Sequence, residues 1–206
     1  PVLRPLAKKV KLPISIDTTS AAVAKEAIDN GADMVNDISG LRFDPRMAKT
    51  IAGAGVPVVV MHIKGRPRTM QKNPVYYDLM GEIIRGLRQS LAIGRRAGIE
   101  PGRMLVDPGI GFGKTLEHNL EILRRLKELH SLGAPVVVGP SRKSFIGMVL
   151  NLPPAERLEG TLAACVIAAE NGANILRVHD VLAVKRALAI RDAIRLMPGI
   201  KGKTPD

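Results

Sequence analysis

The chain has 206 residues and a formal net charge of +12, with 31 Lys and Arg against 19 Asp and Glu. No apolar run approaches the roughly 20 residues needed to span a bilayer and no leader pattern opens the sequence, so a cytoplasmic protein with no membrane partner is expected. The cations are scattered, and with three Phe, two Tyr and no Trp there is almost no stacking platform for nucleic acid. A small anionic substrate suits the charge better.

The first element in the chain is LPISIDTTS (12–20), a short apolar run ending on polar residues, followed at helix length by SAAVAKEAIDNGA (20–32). ADMVNDISG (32–40) and DPRMAKTIAGAG (44–55) repeat the pair, as do VPVVVMHIKG (56–65) and the long VYYDLMGEIIRGLRQSLAIGRRAG (75–98). RMLVDPGIGFGK (103–114) leads into TLEHNLEILRRLKELHSLG (115–133), and APVVVGPSRKS (134–144) into PAERLEGTLAACVIAAENGA (154–173). ANILRVHDV (173–181) and VLAVKRALAIRDAIRLM (181–197) close the series. The near-continuous apolar runs suit strands buried on both faces, as in a parallel sheet with helical crossovers. Most helical stretches end on a glycine, Gly31, Gly55, Gly98, Gly133 or Gly172, which tolerates the left-handed cap. Cys165, the single cysteine, lies among small apolar residues and is expected in the core.

Six strand-then-helix units make an α/β protein. Polar residues stand at all six strand ends: Asp17, Asn36 with Asp37, His62 with Lys64, Asp107, Ser141 to Ser144, and Arg177 with His179 and Asp180. An open sheet gathers its site at one crevice, whereas a TIM (β/α)8 barrel gathers all strand ends at one mouth, so the barrel is favoured. A barrel has eight units in about 250 residues. Residues 1–206 are therefore read as one barrel domain, N-terminally incomplete.

The glycines of DPGIGFGKT resemble a phosphate loop, but the position that a Walker motif requires to be glycine is Pro108. Asp107 at the end of MLV is a carboxylate whose burial needs a hydrogen-bonding partner. Asp17 and Asn36 stand at the corresponding ends of the first two strands; with Asp107 they can read the edge of a flat heterocycle carrying amino and ring N–H groups. Alone, each would more often cap a helix. In GPSRKS, Lys143 and Ser144 stand where a helix begins, so an ammonium, a hydroxyl and backbone N–H groups can face one anion. Ser141 reads as a cap. Arg177 offers a bidentate fork for phosphate and His179 a second donor, the alternative being a charge pair of Arg177 with Asp180. His62 has no second ligand at a metal-binding spacing and is read as a packing residue, with Met61 a pocket wall.

IDTTS, VNDISG, MHIKGRPRTMQ, LVDPGIGFGK, GPSRKS and RVHDV, in this order, closely resemble the dihydropteroate synthase family over residues 12–197. The resemblance implies a TIM barrel whose third to eighth units are present here. It implies condensation of 6-hydroxymethyl-7,8-dihydropterin pyrophosphate with para-aminobenzoate to 7,8-dihydropteroate and pyrophosphate, in folate biosynthesis. By the same resemblance Asp17, Asn36, Asp107 and Lys143 hold the pterin in a slot lined by Met61, Phe112 and Gly139, with Lys143, Asp17 and Asp107 taking the catalytic roles. Arg177 and His179 grip the pyrophosphate with Mg²⁺, while Lys143, Ser144 and the helix start behind them meet the aminobenzoate carboxylate, Arg142 flanking that entrance. The family is a sulfonamide target and a homodimer built on its last helices, where Leu158 to Ala169 would serve. Its Asn-Val-Thr-Pro-Asp-Ser-Phe-Ser and Ser-Thr-Arg-Pro loops, the first supplying a metal-contacting Asn, do not occur in these residues, so no metal ligand is assigned and little catalysis is expected of the chain alone. The competing expectations are a pteridine-dependent corrinoid methyltransferase, which would not carry both GPSRKS and RVHD, and a non-catalytic pterin- or phosphate-binding module.

Overall fold

A computed structural model of the chain describes residues 2–196; Met197, the end of the last expected helix, lies outside them. Six short strands are present: β1 (Ser15–Asp17), β2 (Met34–Asp37), β3 (Val58–Met61), β4 (Met104–Asp107), β5 (Val137–Val138) and β6 (Ile175–Leu176). Every pairing is parallel and in chain order, β1 to β4 in one ladder and β5 with β6 in another, joined by a bridge between Val106 and Val136. Sequential parallel strands with helical crossovers are the arrangement of a TIM barrel.

The helices are α1 (Leu3–Lys9), α2 (Ala21–Asp29), α3 (Met47–Ala54), α4 (Leu79–Ala97), α5 (Leu116–Arg124), α6 (Ser144–Leu150), α7 (Leu158–Glu170) and α8 (Val181–Leu196). Three features depart from the sequence reading. α1 precedes the first element read from the sequence; its Pro5 sits in the first turn, where its missing N–H has no intrahelical partner to lose. α4 starts at Leu79 and not at Val75, because Asp78 caps it by accepting from Gly81 N and the Tyr76 hydroxyl donates to Gly113 O at 2.8 Å. The stretch after α5 continues as a 3-10 helix, Leu126–Leu132, that seats Leu126 and Leu129 in the core and ends on left-handed Gly133. The cap glycines 31, 55, 98 and 172 are likewise left-handed.

Because side chains alternate across a strand, the apolar runs split into two sets. Val58, Val60, Met104, Val106, Val136 and Val138 pack outward with the helices in the main core, and Cys165 on α7 is fully buried, as expected. Val59, Leu105 and Val137, with Met34 against them, form a separate small cluster on the opposite, interior face. Each fully buried aliphatic side chain contributes about 1.5–3 kcal/mol. The interior cluster is the floor of the barrel, and the residues one step further along the same face are Asn36, Met61, Asp107 and Gly139.

Candidate functional site

Register aligns the polar strand ends. Asp17 pairs with Asn36, Asn36 with Val59, and Met61 with Asp107. Asn36 Nδ2 donates to Asp17 Oδ1 at 3.1 Å. Asn36 Oδ1 is buried and has no hydrogen-bond partner among the described residues. A buried acceptor left open is costly unless something donates to it, and Asn36 lies on the interior face of β2, two strands from Asp107 on β4.

Asp107 is 1% exposed. Its Oδ1 accepts from Gly109 N at 2.7 Å and its Oδ2 lies 3.5 Å from an Arg177 guanidinium nitrogen. Burial raises its pKa, and Arg177, the Gly109 N–H, Lys114 and Lys143 oppose that rise. Burial likewise lowers the pKa of Lys143, opposed by Asp107 and Asp17; its Nζ stands 4.4 Å above the Phe112 ring. Arg177 also approaches Asp17 at 4.0 Å. It reaches both carboxylates across Gly139, where a β-carbon would come within 3.3 Å of the guanidinium. Arg177 therefore pairs with Asp107 and Asp17, and Asp180 belongs to a different cation.

That cation is Arg142, whose Nε and Nη2 fork onto the two Asp180 oxygens at 2.9 and 2.6 Å. Its guanidinium is thereby held by Asp180. Ser141 caps no helix: it is buried, its Oγ lies 2.9 Å from His179 Nδ1 and accepts from His179 N at 3.2 Å. Ser144 is exposed at the start of α6. It borders a cavity of about 280 Å³ shared with Gln71, Lys114, Thr115 and Met148.

The DPGIGFGK loop serves close packing. Gly109 has φ +73°, and a β-carbon there would collide with His62 O, so only glycine lets the loop after β4 cross the loop after β3. Gln71 Nε2 adds a bond to Gly111 O at 2.6 Å. Lys114 is a residue that sequence reasoning missed. It is 4% exposed, donates to Phe112 O at 3.0 Å and lies 3.2 Å from His62 Nδ1. Desolvation lowers its pKa to about 7, and desolvation with the charge of Lys114 lowers that of buried His62 to about 2. A neutral His62 thus accepts from Lys114, and both brace the wall that carries Phe112. Lysine is exposed by default, so nothing in the sequence flags this one as buried.

Among the described residues no three His, Cys, Asp or Glu side chains converge as a metal site. No described helix is long and apolar enough to cross a membrane.

Comparison with known proteins agrees with this geometry. The family described as pterin binding enzyme matches residues 1–179. The dihydropteroate synthase of Synechocystis sp. is 47% identical over 195 residues, covering 94% of this chain and 68% of that protein. The crystal structure of dihydropteroate synthase from Stenotrophomonas maltophilia, with imidazole bound in its active site, superposes with a TM-score of 0.93 at 41% identity, covering 96% of this chain and 75% of that one. A Yersinia pestis dihydropteroate synthase in complex with a sulfonamide drug gives a TM-score of 0.91 at 43% identity, over 94% of this chain and 70% of that one. With a parallel barrel sheet, an interior carboxylate and an open amide acceptor at its mouth, the chain belongs to the pterin binding enzyme family, among its dihydropteroate synthases.

Proposed function

We propose that the site condenses 6-hydroxymethyl-7,8-dihydropterin pyrophosphate with para-aminobenzoate, releasing pyrophosphate. The observation that carries this is two buried polar groups on the interior face: an Asn36 amide oxygen with no partner among the described residues and, two strands away, the Asp107 carboxylate, 1% exposed. Together they accept from a flat ring that offers amino and ring N–H groups, with Asp17 holding the Asn36 amide and Met61, Phe112 and Gly139 as walls.

The reaction breaks the bond from the pterin methylene to the pyrophosphate oxygen, whose electron pair leaves with the oxygen. The methylene becomes cationic. Asp107 and Asp17 stabilise that charge through the ring, and Arg177 and His179 hold the departing anion. The aniline nitrogen then donates its pair to the methylene carbon and loses a proton as the carbon–nitrogen bond completes. No protein nucleophile is needed. Lys143 faces the pterin, and with Ser144 it meets the aminobenzoate carboxylate, where a sulfonamide would compete. Arg142, held by Asp180, shapes that entrance. Mg²⁺ enters as the companion of the pyrophosphate, since such ions keep most of their ligands as water and substrate phosphate.

We further propose a homodimer through α7. Ile167 on α7 and Met148, Val149 and Leu150 on α6 are exposed, and an apolar groove of about 510 Å³ runs between α5, α6 and α7 past Phe145 and Ile167. Ile167→Glu is expected to leave a monomer by light scattering.

The test of function is twofold. Calorimetry with the dihydropterin pyrophosphate is expected to show binding that Asp107→Asn weakens by about 100-fold; no binding by the unmodified protein would count against the proposal. Turnover with para-aminobenzoate separates an enzyme from a binding module.

A further inference from the structure

The pairing of β5 with β6 runs at an offset of 38 residues, Val137 with Ile175 and Val138 with Leu176. The last backbone rung is Arg177 N donating to Val138 O at 2.9 Å. Pro140 has no N–H to extend the ladder. The same offset nevertheless continues in side chains: Ser141 with His179, and Arg142 with Asp180. Two side-chain rungs replace the backbone ladder where the chain turns at the mouth.

The first rung has a chemical consequence. A serine hydroxyl has one proton and two lone pairs. The His179 backbone N–H occupies a lone pair at 3.2 Å, and the contact to Nδ1 is 2.9 Å. The second lone pair leaves two arrangements for a neutral imidazole, Nδ1–H donating to Oγ or the hydroxyl donating to Nδ1; in the second the ring carries its proton on Nε2. We infer that Ser141 is a positioning residue for pyrophosphate release: it fixes the His179 ring and its tautomer, leaving Nε2–H as the donor to the departing anion. The second rung holds the backbone on either side, since Arg142 N also bonds Thr161 Oγ1 at 3.0 Å and Arg157 bonds Arg142 O at 3.0 Å. This inference rests on the proposed assignment of His179 to pyrophosphate.

Calorimetry with inorganic pyrophosphate tests it through a double-mutant cycle. His179→Ala is expected to weaken binding about tenfold, as loss of a charge-assisted bond does. Ser141→Ala is expected to weaken it about threefold to fivefold, in line with one net hydrogen bond, and to add nothing in the His179→Ala background. Ser141→Thr, which keeps the hydroxyl, is expected to bind as the unmodified protein does. An additive loss in the double variant overturns the inference, because Ser141 would then act other than through His179. Unchanged affinity in Ser141→Ala beside a weakened His179→Ala overturns it while sparing the role of His179. Unchanged affinity in His179→Ala removes that role and the inference with it. Nitrogen NMR of histidine-labelled, unmodified protein requires no variant: a neutral His179 protonated on Nε2 supports the inference, and protonation on Nδ1 overturns it.

Discussion

Asp107 and Asp17 are the same residue type at the same end of parallel strands, and physically they have little else in common. Asp107 ends β4, buried at every position, and its side chain is 2% exposed; Asp17 ends β1, exposed at both of its ends, and its side chain is 66% exposed. The contrast extends to their surroundings. β3 and β4 are wholly buried, so backbone register alone fixes Met61 against Asp107. β1 and β6 are partly exposed, and Asp17, Arg177 and His179 are held by side chains reaching across. The centre of the site is built by the sheet and its flanks by ion pairs and hydrogen bonds, so substitutions in the two regions should fail differently.

The largest effect is expected at Asp107. Asp107→Asn removes a desolvated carboxylate and should weaken pterin affinity by about 100-fold, whereas Asp17→Asn should weaken it by only a few-fold. Stability should move the other way. Burial raises the folded-state pKa of Asp107 above its ordinary 3.8, so the unfolded chain releases its proton first. The protein then loses stability as pH climbs from 3.8 through the folded pKa. Asp107→Asn removes that loss, and thermal melts at neutral pH should show the variant to be the more stable protein. A variant that bound no pterin and was also less stable would mean that Asp107 is structural first.

Lys143 joins the two regions, since the charges of both Asp107 and Asp17 act on it and its Nζ stands over Phe112. Lys143→Ala is expected to weaken both pterin and para-aminobenzoate, by about tenfold each. Calorimetry with each ligand separately checks this, and loss of only one would place Lys143 in only one subsite.

The division between regions also explains what was legible in the sequence. Strands such as VVVM and MLVD are buried on both faces, so their apolar runs marked them and their ends marked Asn36 and Asp107. Order and parallel direction followed from the alternation of strands with helices. What the sequence did not show is which cation meets which anion. Arg177 and Arg142 are both arginines near a strand end, and adjacency suggested Arg177 with Asp180. The structure pairs them across strands, because the absence of a side chain at Gly139 lets Arg177 reach inward to Asp107. Ser141 looked like a cap because serines before helices usually are, and its partner is 38 residues away. Lys114 was hidden for a similar reason: its burial arises from a loop crossing that only Gly109 permits.

Lys114 offers a smaller effect, seen in stability and not in affinity. Its folded-state pKa is lowered to about 7 from 10.5, so between those values the unfolded chain binds more protons and stability rises with pH. Below about pH 7 the penalty is fully present. Lys114→Met is expected to flatten the stability profile between pH 7 and 10 and to raise the melting temperature at pH 7. An unchanged slope would place the titration elsewhere.

The smallest effect is expected at the outer rung. Arg142 and Asp180 form a bidentate pair, and the Arg142 fork holds the Asp180 carboxyl below the usual carboxylate range. The pair is partly exposed, so solvent and salt screen it. Asp180→Asn should therefore shift the melting temperature by no more than about 2 °C. Its sharper signature is in salt: the difference from the unmodified protein should shrink as ionic strength rises. Pyrophosphate affinity should fall less than in Ser141→Ala, because Arg142 touches only the side chain of Asp180, the residue after His179, whereas Ser141 touches the ring. If Asp180→Asn proved the more damaging of the two, the flanks would be held by charge, and the hydroxyl of Ser141 would be only a spacer between the strands.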